Sequence, residues 1–151
     1  MATTFQWVAP GETIQTALST DLNSLADSTS DTTGFSALSA EIPNETDLYQ
    51  YINIELVVAA QGAARSAGGF VAVYISYALD GADYGDDSNK AFAELLTVFQ
   101  LDAATTARQI TKVNIPIPPI DFKLYVLNDT GQALAATLNT LKYRRHNEQG
   151  V

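Results

Sequence analysis

The fold is decided by residues 69–79, which read Gly-Phe-Val-Ala-Val-Tyr-Ile-Ser-Tyr-Ala-Leu. Apolar and β-branched side chains occupy every second position of this stretch. One face therefore carries Val71, Val73, Ile75, Tyr77 and Leu79. Alternation with period two is typical of a β-strand that buries one face. We expect a strand here that buries one of its two faces.

The same alternation recurs along the chain. It is strong at 50–58, 122–127 and 138–144, and weaker at 4–8, 34–42, 94–101 and 108–115. Residues 12–27 fit either a helix or a strand at 12–18 followed by one short helical turn near 20–26, and we favour the second. Turns are indicated at Asp80-Gly81 and at 128–131, because Gly and Asn tolerate positive φ.

About eight short strands must each bury one face, and two packed sheets satisfy that requirement. We therefore predict an all-β fold, an antiparallel β-sandwich of the jelly-roll kind, with a partly open barrel as the alternative. The 151 residues are expected to form a single domain. An N-terminal arm over 1–10 and a C-terminal tail over 144–151 are expected to extend from it.

Composition excludes several classes of function. The chain has 17 Asp and Glu, 8 Lys and Arg, one His and no Cys, so disulfides, thiol chemistry and Cys-based metal clusters are excluded. A net charge of −9 gives no electrostatic attraction for nucleic acid or for an anionic membrane surface. We found no secretion signal and no apolar run of about 18 residues. We expect a soluble protein with no direct nucleic-acid or membrane contact.

Charge is unevenly distributed along the sequence. Residues 1–107 carry a net charge of −12, whereas residues 108–151 carry +3. Such polarity suits contacts between identical subunits, where unlike surfaces meet. A surface distribution without functional meaning is the alternative.

The sequence contains few candidate catalytic groups. His146 is the only histidine, so a Ser-His-Asp relay would need this residue of the C-terminal tail, and a His-rich metal site is impossible. The Gly-rich stretch 62–69 lacks the lysine of a phosphate loop and leads into a strand instead of a helix. We predict that the chain is not an enzyme and has no cofactor.

The segment whose residue types best suit metal binding is an acidic loop. Four carboxylates lie within eight residues, a weak candidate for a Ca²⁺ site: Asp80, Asp83, Asp86 and Asp87. Their spacing is not that of an EF-hand, so an exposed hairpin extension is the favoured interpretation.

Candidate contact residues lie at the two ends of the chain. Phe5 and Trp7 form an aromatic pair in the N-terminal arm, and Arg144, Arg145 and His146 lie in the C-terminal tail. Polar or aromatic chain ends often make contacts between subunits. Most other aromatic residues fall within strand patterns, where core packing is favoured over a carbohydrate-binding platform.

The sequence resembles small virion structural proteins of tailed bacteriophages, of the head decoration or cement type. The resemblance rests on the order of five segments: 22–26, 44–56, 69–81, 117–124 and 128–143. It implies a β-sandwich that binds the outer surface of an assembled capsid and reinforces it. The implied partner is the major capsid protein. The implied location is the capsid surface of the virion, and the resemblance implies that the chain is made in the host cytoplasm. The acidic stretch 83–89 has no match in that pattern.

On a capsid, the chain is expected to form a dimer or a trimer. Three alternatives remain: a tail, baseplate or fibre-attachment protein, a carbohydrate-binding β-sandwich module, and a hydrolase of unknown type.

Overall fold

The structure, a computed structural model, describes residues 5–7, 12–27, 37–80, 84 and 93–150. These residues form ten strands and one short 3-10 helix: β1 (Phe5–Trp7), β2 (Gln15–Leu18), the 3-10 helix (Thr20–Leu22), β3 (Ala37–Leu38), β4 (Tyr51–Val58), β5 (Phe70–Tyr77), β6 (Glu94–Gln100), β7 (Arg108–Pro116), β8 (Phe122–Asp129), β9 (Thr140–His146) and β10 (Glu148–Gly150).

The strands before the connection between β5 and β6 pair, in reverse order, with the strands after it. The nested antiparallel pairs are β5 with β6, β4 with β7, β3 with β8, and β2 with β9. Two further pairings, β4 with β9 and β5 with β8, join these ribbons into sheets. The resulting orders are β2-β9-β4-β7 and β3-β8-β5-β6. An eight-stranded double sheet wound in this way is a jelly roll, which confirms the predicted fold.

The core lies between the two sheets and follows the predicted alternation. Strand β4 sends every second side chain inward, and each of these is fully buried: Ile52, Ile54, Leu56 and Val58. They meet the inward side chains of β5 and β8, among them Val73 and Leu124. Burial of this apolar surface is the main source of stability for a chain without disulfides.

Several local predictions are confirmed. The ambiguous segment 12–27 is a strand followed by one 3-10 turn, Thr20–Leu22. The weaker strand signals correspond to β1, β3, β6 and β7. Strand β7 ends at Pro116, as expected of a residue that has no N–H to donate to a sheet.

Two predictions at strand ends are wrong. Leu79 does not share the buried face of β5, because that strand ends at Tyr77 and Leu79 lies in the following turn with 88% of its surface exposed. The predicted C-terminal tail does not begin at residue 144, because β9 continues to His146. Strand β9 lies between β2 and β4, and its last residues stay paired with residues 51–53.

The position of the core is testable with a matched pair of substitutions. Leu56→Ala should lower the free energy of unfolding by about 2–5 kcal/mol, because it leaves a cavity in a fully buried site. Leu79→Ala should change it by less than about 0.5 kcal/mol, because that side chain is exposed. Urea denaturation monitored by circular dichroism measures both values. Equal effects would contradict the assigned core.

Candidate interaction surface

The outer faces of the two sheets differ in exposure. On the β3-β8-β5-β6 sheet, the outward side chains of Ala72 and Tyr125 are each only 1% exposed, so this face is covered. Tyr84 contributes to the cover. Its carbonyl oxygen accepts a 2.8 Å hydrogen bond from Ser76 Oγ, and Lys123 Nζ lies 4.3 Å from its ring centroid. The β2-β9-β4-β7 sheet presents the open face of the domain.

A shallow depression of about 170 Å³ crosses this open face, and we call it the sheet groove. Strand pairing sets its floor, because Asn53 of β4 lies opposite Arg144 of β9. Two exposed aliphatic side chains border it, Ile14 at 66% and Val113 at 61%. Its lining is Ile14, Asn53, Ile54, Glu55, Thr111, Val113, Lys142, Tyr143 and Arg144.

A β-bulge in β7 shapes one side of the groove. Ile115 pairs with Ile52 and Lys112 pairs with Ile54, so two residues of β7 face the single residue Asn53. One of the two is Asn114, which has φ of 58°, a left-handed conformation that Asn tolerates better than most residues. Its N–H donates to Asn53 Oδ1 at 2.8 Å. A bulge redirects side chains, and this one leaves Val113 exposed.

The groove carries a net positive charge within a strongly acidic chain. Lys142 Nζ lies 3.7 Å from Glu55 Oε1, and Gln109 Nε2 donates to Glu55 Oε2 at 2.7 Å. Glu55 is therefore already partnered. Among the described residues, none of the ion pairs involves Arg144. The groove thus offers a guanidinium to an external carboxylate.

Arg145 is directed to the opposite side of the same sheet. Its guanidinium lies 2.6 Å from Glu12 Oε1 and 3.0 Å from Asp47 Oδ2, and it also donates to the carbonyl oxygen of Pro43. The ring of Tyr49 lies 4.7 Å away. Burial alone would lower the pKa of Arg145, but the hydrogen bonds and charge of Glu12 outweigh it and raise the pKa.

His146 lies on the same face of β9 as Arg144, but it is covered there by neighbouring side chains. Its ring stacks on Tyr51 at 5.5 Å, and Nε2 lies 3.2 Å from Asn114 Oδ1. Burial lowers the pKa of His146, the nearby charge of Arg144 lowers it further, and Glu148 partly opposes both. Of the three predicted contact residues at this end, Arg144 and His146 lie on the outer face of the sheet, but His146 is covered there and Arg144 is half-exposed. Arg145 and His146 are 3% and 4% exposed and make contacts within the domain, and the role of Arg144 in a contact stays a prediction.

The two chain ends are joined to each other. Strand β1 pairs antiparallel with β10, with Phe5 opposite Gly150 and Trp7 opposite Glu148. Among the described residues, this two-stranded ribbon pairs with no strand of either four-stranded sheet, although the Glu148 N–H donates to Gln50 Oε1 at 3.2 Å. The predicted arm and tail therefore meet in one element. The side chains of Phe5 and Trp7 lie outside the described residues.

The acidic loop is only partly described. Asp80 lies in an exposed turn, while Asp83, Asp86 and Asp87 lie outside the described residues. Tyr84 between them is anchored, because its hydroxyl donates to Glu41 Oε2 at 2.6 Å. Burial, and then the hydrogen bond to Glu41, raise the pKa of Tyr84. The described residues contain no group of three metal-ligating side chains.

Sequence reasoning missed a buried arginine in the Gly-rich connection 61–69. The guanidinium of Arg65 donates to Gln61 Oε1 at 3.0 Å, to Thr106 O at 2.9 Å and to Asp102 Oδ1 at 3.2 Å. Arg108 also pairs with Asp102, and its hydrogen bond is the main reason that the pKa of Asp102 is lowered. Arg65 thus fixes this connection to its neighbours, and its guanidinium is fully engaged in doing so.

No helix within the described part of the chain is long and apolar enough to cross a bilayer.

The chain has low sequence identity to the known structures that it is similar to. No family model matches the chain, and no curated protein matches its sequence. A structure described as "CBM4 structure and function" is 11% identical with a TM-score of 0.30, covering 76% of this chain and 72% of that one. The K3 cleaved adhesin domain of Lys-gingipain from Porphyromonas gingivalis is 16% identical with a TM-score of 0.34, covering 74% of this chain and 62% of that one.

A third similar structure is that of infectious bursal disease virus, Gx strain. It is 13% identical with a TM-score of 0.31, covering 96% of this chain and 32% of the viral chain. The present chain therefore spans less than two thirds of the adhesin domain and of the viral chain. Likenesses at this level carry no argument about function.

Arg144 and Arg145 lie on opposite faces of β9, and substituting each of them tests this assignment of faces. Arg145→Met should lower the free energy of unfolding by about 3–5 kcal/mol, because it leaves Glu12 charged and poorly solvated without its partner. Arg144→Met should change it by no more than about 0.5 kcal/mol, because that guanidinium has no ion pair among the described residues. Chemical denaturation of both variants makes the comparison. A larger loss in Arg144→Met would contradict the assignment of faces.

The buried histidine predicts a pH dependence of stability. Because the pKa of His146 is lower in the folded chain than its ordinary value of 6.5, the unfolded chain binds the proton more readily. Stability from this group is fully present above about pH 6.5 and is lost as the pH falls toward the folded pKa, by at most about 1.4 kcal/mol per pH unit.

The measurement is the unfolding free energy at about pH 7.5 and about pH 5, for the natural chain and for His146→Gln. The natural chain should lose more stability on acidification than the variant does. Identical losses would show that His146 does not titrate as described.

Proposed function

We propose that this chain is a capsid decoration protein that binds the outer surface of an assembled phage head and stabilises it. The observation that carries the proposal is the ribbon of β1 and β10, in which the two chain ends pair outside both sheets of the jelly roll. Such a ribbon offers a contact element outside the two sheets, and it is held to the domain at Gln50, whose N–H donates to Asn147 Oδ1 at 2.8 Å and whose Oε1 accepts the N–H of Glu148 at 3.2 Å. The sequence resemblance to head decoration proteins supports the same role.

A rigid body suits this role. Buried polar side chains fix the connections between strands, as Asn128 does by donating to Leu25 O at 3.0 Å and to Gln132 O at 2.8 Å. At the other end of the sandwich, buried Asn44 donates to Pro118 O at 2.7 Å. Loops held in this way lose little conformational entropy on binding, so more of the contact energy is retained.

The proposed mechanism is mass action. A subunit that binds only the assembled shell stabilises that state according to its concentration and affinity. Modest individual contacts suffice when many copies engage the same particle. The partner in this proposal is the major capsid protein, and the location is the virion surface. The role requires no catalysis, no cofactor and no nucleic-acid contact.

The ribbon can be tested by truncation. Removing residues 1–9 deletes β1 and should abolish binding to heads assembled from the cognate capsid protein, while the jelly roll stays folded because β1 belongs to neither sheet. Removing only residues 1–4 keeps β1 and should preserve binding. Co-sedimentation with heads measures occupancy, and circular dichroism checks the fold.

Two outcomes would contradict this account at different levels. Full occupancy by the chain lacking residues 1–9 would show that the ribbon is not the contact. No binding by the full chain, or a copy number per particle typical of a tail component, would overturn the decoration role itself.

A further inference from the structure

An exposed leucine sits on a rigid acidic turn at residues 44–48. Leu48 has φ of 55° and is 56% exposed, an unfavourable backbone conformation for a leucine. The turn also carries the exposed residue Glu45, and Asp47, whose carboxylate binds Arg145. We call this segment the acidic leucine turn.

Buried Asn44 and half-buried Asp121 hold the turn in this conformation. Asn44 O accepts the N–H of Leu48 at 3.0 Å, and Asn44 Oδ1 accepts the N–H of Tyr49 at 3.1 Å. Asp121 Oδ1 accepts the N–H of Asn44 at 2.5 Å and that of Glu45 at 2.8 Å. A strained residue that the surroundings fix in place often marks a functional site. Here the fixed feature is an apolar side chain displayed to solvent.

The sheet groove has the complementary character. It is bordered by the exposed aliphatic side chains of Ile14 and Val113. It also contains Arg144, which has no ion-pair partner among the described residues. The groove therefore suits a ligand that combines an apolar group with a carboxylate. The acidic leucine turn has both.

We propose that the acidic leucine turn of one copy of this chain docks into the sheet groove of a second copy. Leu48 contacts the aliphatic border of the groove, and the Glu45 carboxylate pairs with Arg144. The distribution of charge supports a like partner, since residues 1–107 carry a net −12 and residues 108–151 carry +3. Unlike surfaces of identical subunits then meet. This association does not depend on the proposed capsid role.

Leu138 provides an internal comparison. It also has positive φ, 67°, and it is even more exposed, at 77%. Its sequence neighbours Thr137 and Asn139 are uncharged, so no carboxylate beside it could pair with an arginine. Exposure and strain are thus shared by the two leucines, whereas the carboxylates are found only beside Leu48.

The first test compares Leu48→Asn with Leu138→Asn by sedimentation velocity over a range of micromolar concentrations. Asn adopts positive φ more readily than Leu, so both variants should fold. We expect the natural chain and Leu138→Asn to self-associate, in a dimer or a closed ring. Leu48→Asn should weaken association by about tenfold or more, and high salt should weaken that of the natural chain.

A charge exchange tests the pairing directly. Arg144→Glu and Glu45→Arg should each weaken self-association when alone. Their mixture should associate again, because the Glu45→Arg turn fits the groove of the Arg144→Glu copy.

A natural chain that is monomeric at every concentration overturns the proposal, as does dissociation by Leu138→Asn but not by Leu48→Asn. A mixture of the charge variants that stays monomeric also overturns it. Failure here is distinguishable from failure of the capsid role. A monomer that still binds heads removes only this inference, and a self-associating chain that binds no heads removes only the decoration role.

Discussion

The pairing of β4 with β9 forms the centre of the β2-β9-β4-β7 sheet. It runs over seven residue pairs, from Tyr51 opposite His146 to Val57 opposite Thr140. This ladder joins two nested hairpin ribbons into one sheet and fixes which side chains of both strands face the core. Because side chains alternate along a strand, it sends Arg144 to the open face and Arg145 into the domain. A shift of one residue would exchange the two.

Two neighbouring arginines of β9 have different roles because of this pairing. Arg145 stabilises the domain through ion pairs, and Arg144 lines the sheet groove. Arg145 ties β9 to Glu12 before β2 and to Asp47 after β3, so three distant parts of the chain meet at one guanidinium. A buried charge of this kind is costly unless it is well paired, and here it is held by two carboxylates. Arg144 contributes no such internal contact in the described structure. Arg144 lies in the sheet groove instead, where the bulge at Asn114 and the exposed side chain of Val113 complete an open, positively charged face.

Much of the fold is predictable from the sequence, because period-two alternation directly reports which side of a strand is buried. The core residues of β4, the short helical turn at Thr20–Leu22 and the jelly-roll class follow from it. The site is less predictable. Alternation does not report where pairing ends, so the strand predicted over 69–79 stops at Tyr77 and leaves Leu79 exposed, while β9 continues through Arg145 to His146. No local sequence signal marks the bulge at Asn114 or the positive φ of Leu48, since both depend on hydrogen bonds to distant residues.

We propose that this jelly roll acts by binding to an assembled capsid. Electron cryomicroscopy of heads assembled with and without the chain tests it most directly. The account predicts added density on the outer shell surface into which both four-stranded sheets fit, with the β1–β10 ribbon against the capsid protein. Particles with identical surfaces in the two samples, or with the chain located only at the tail, would contradict it.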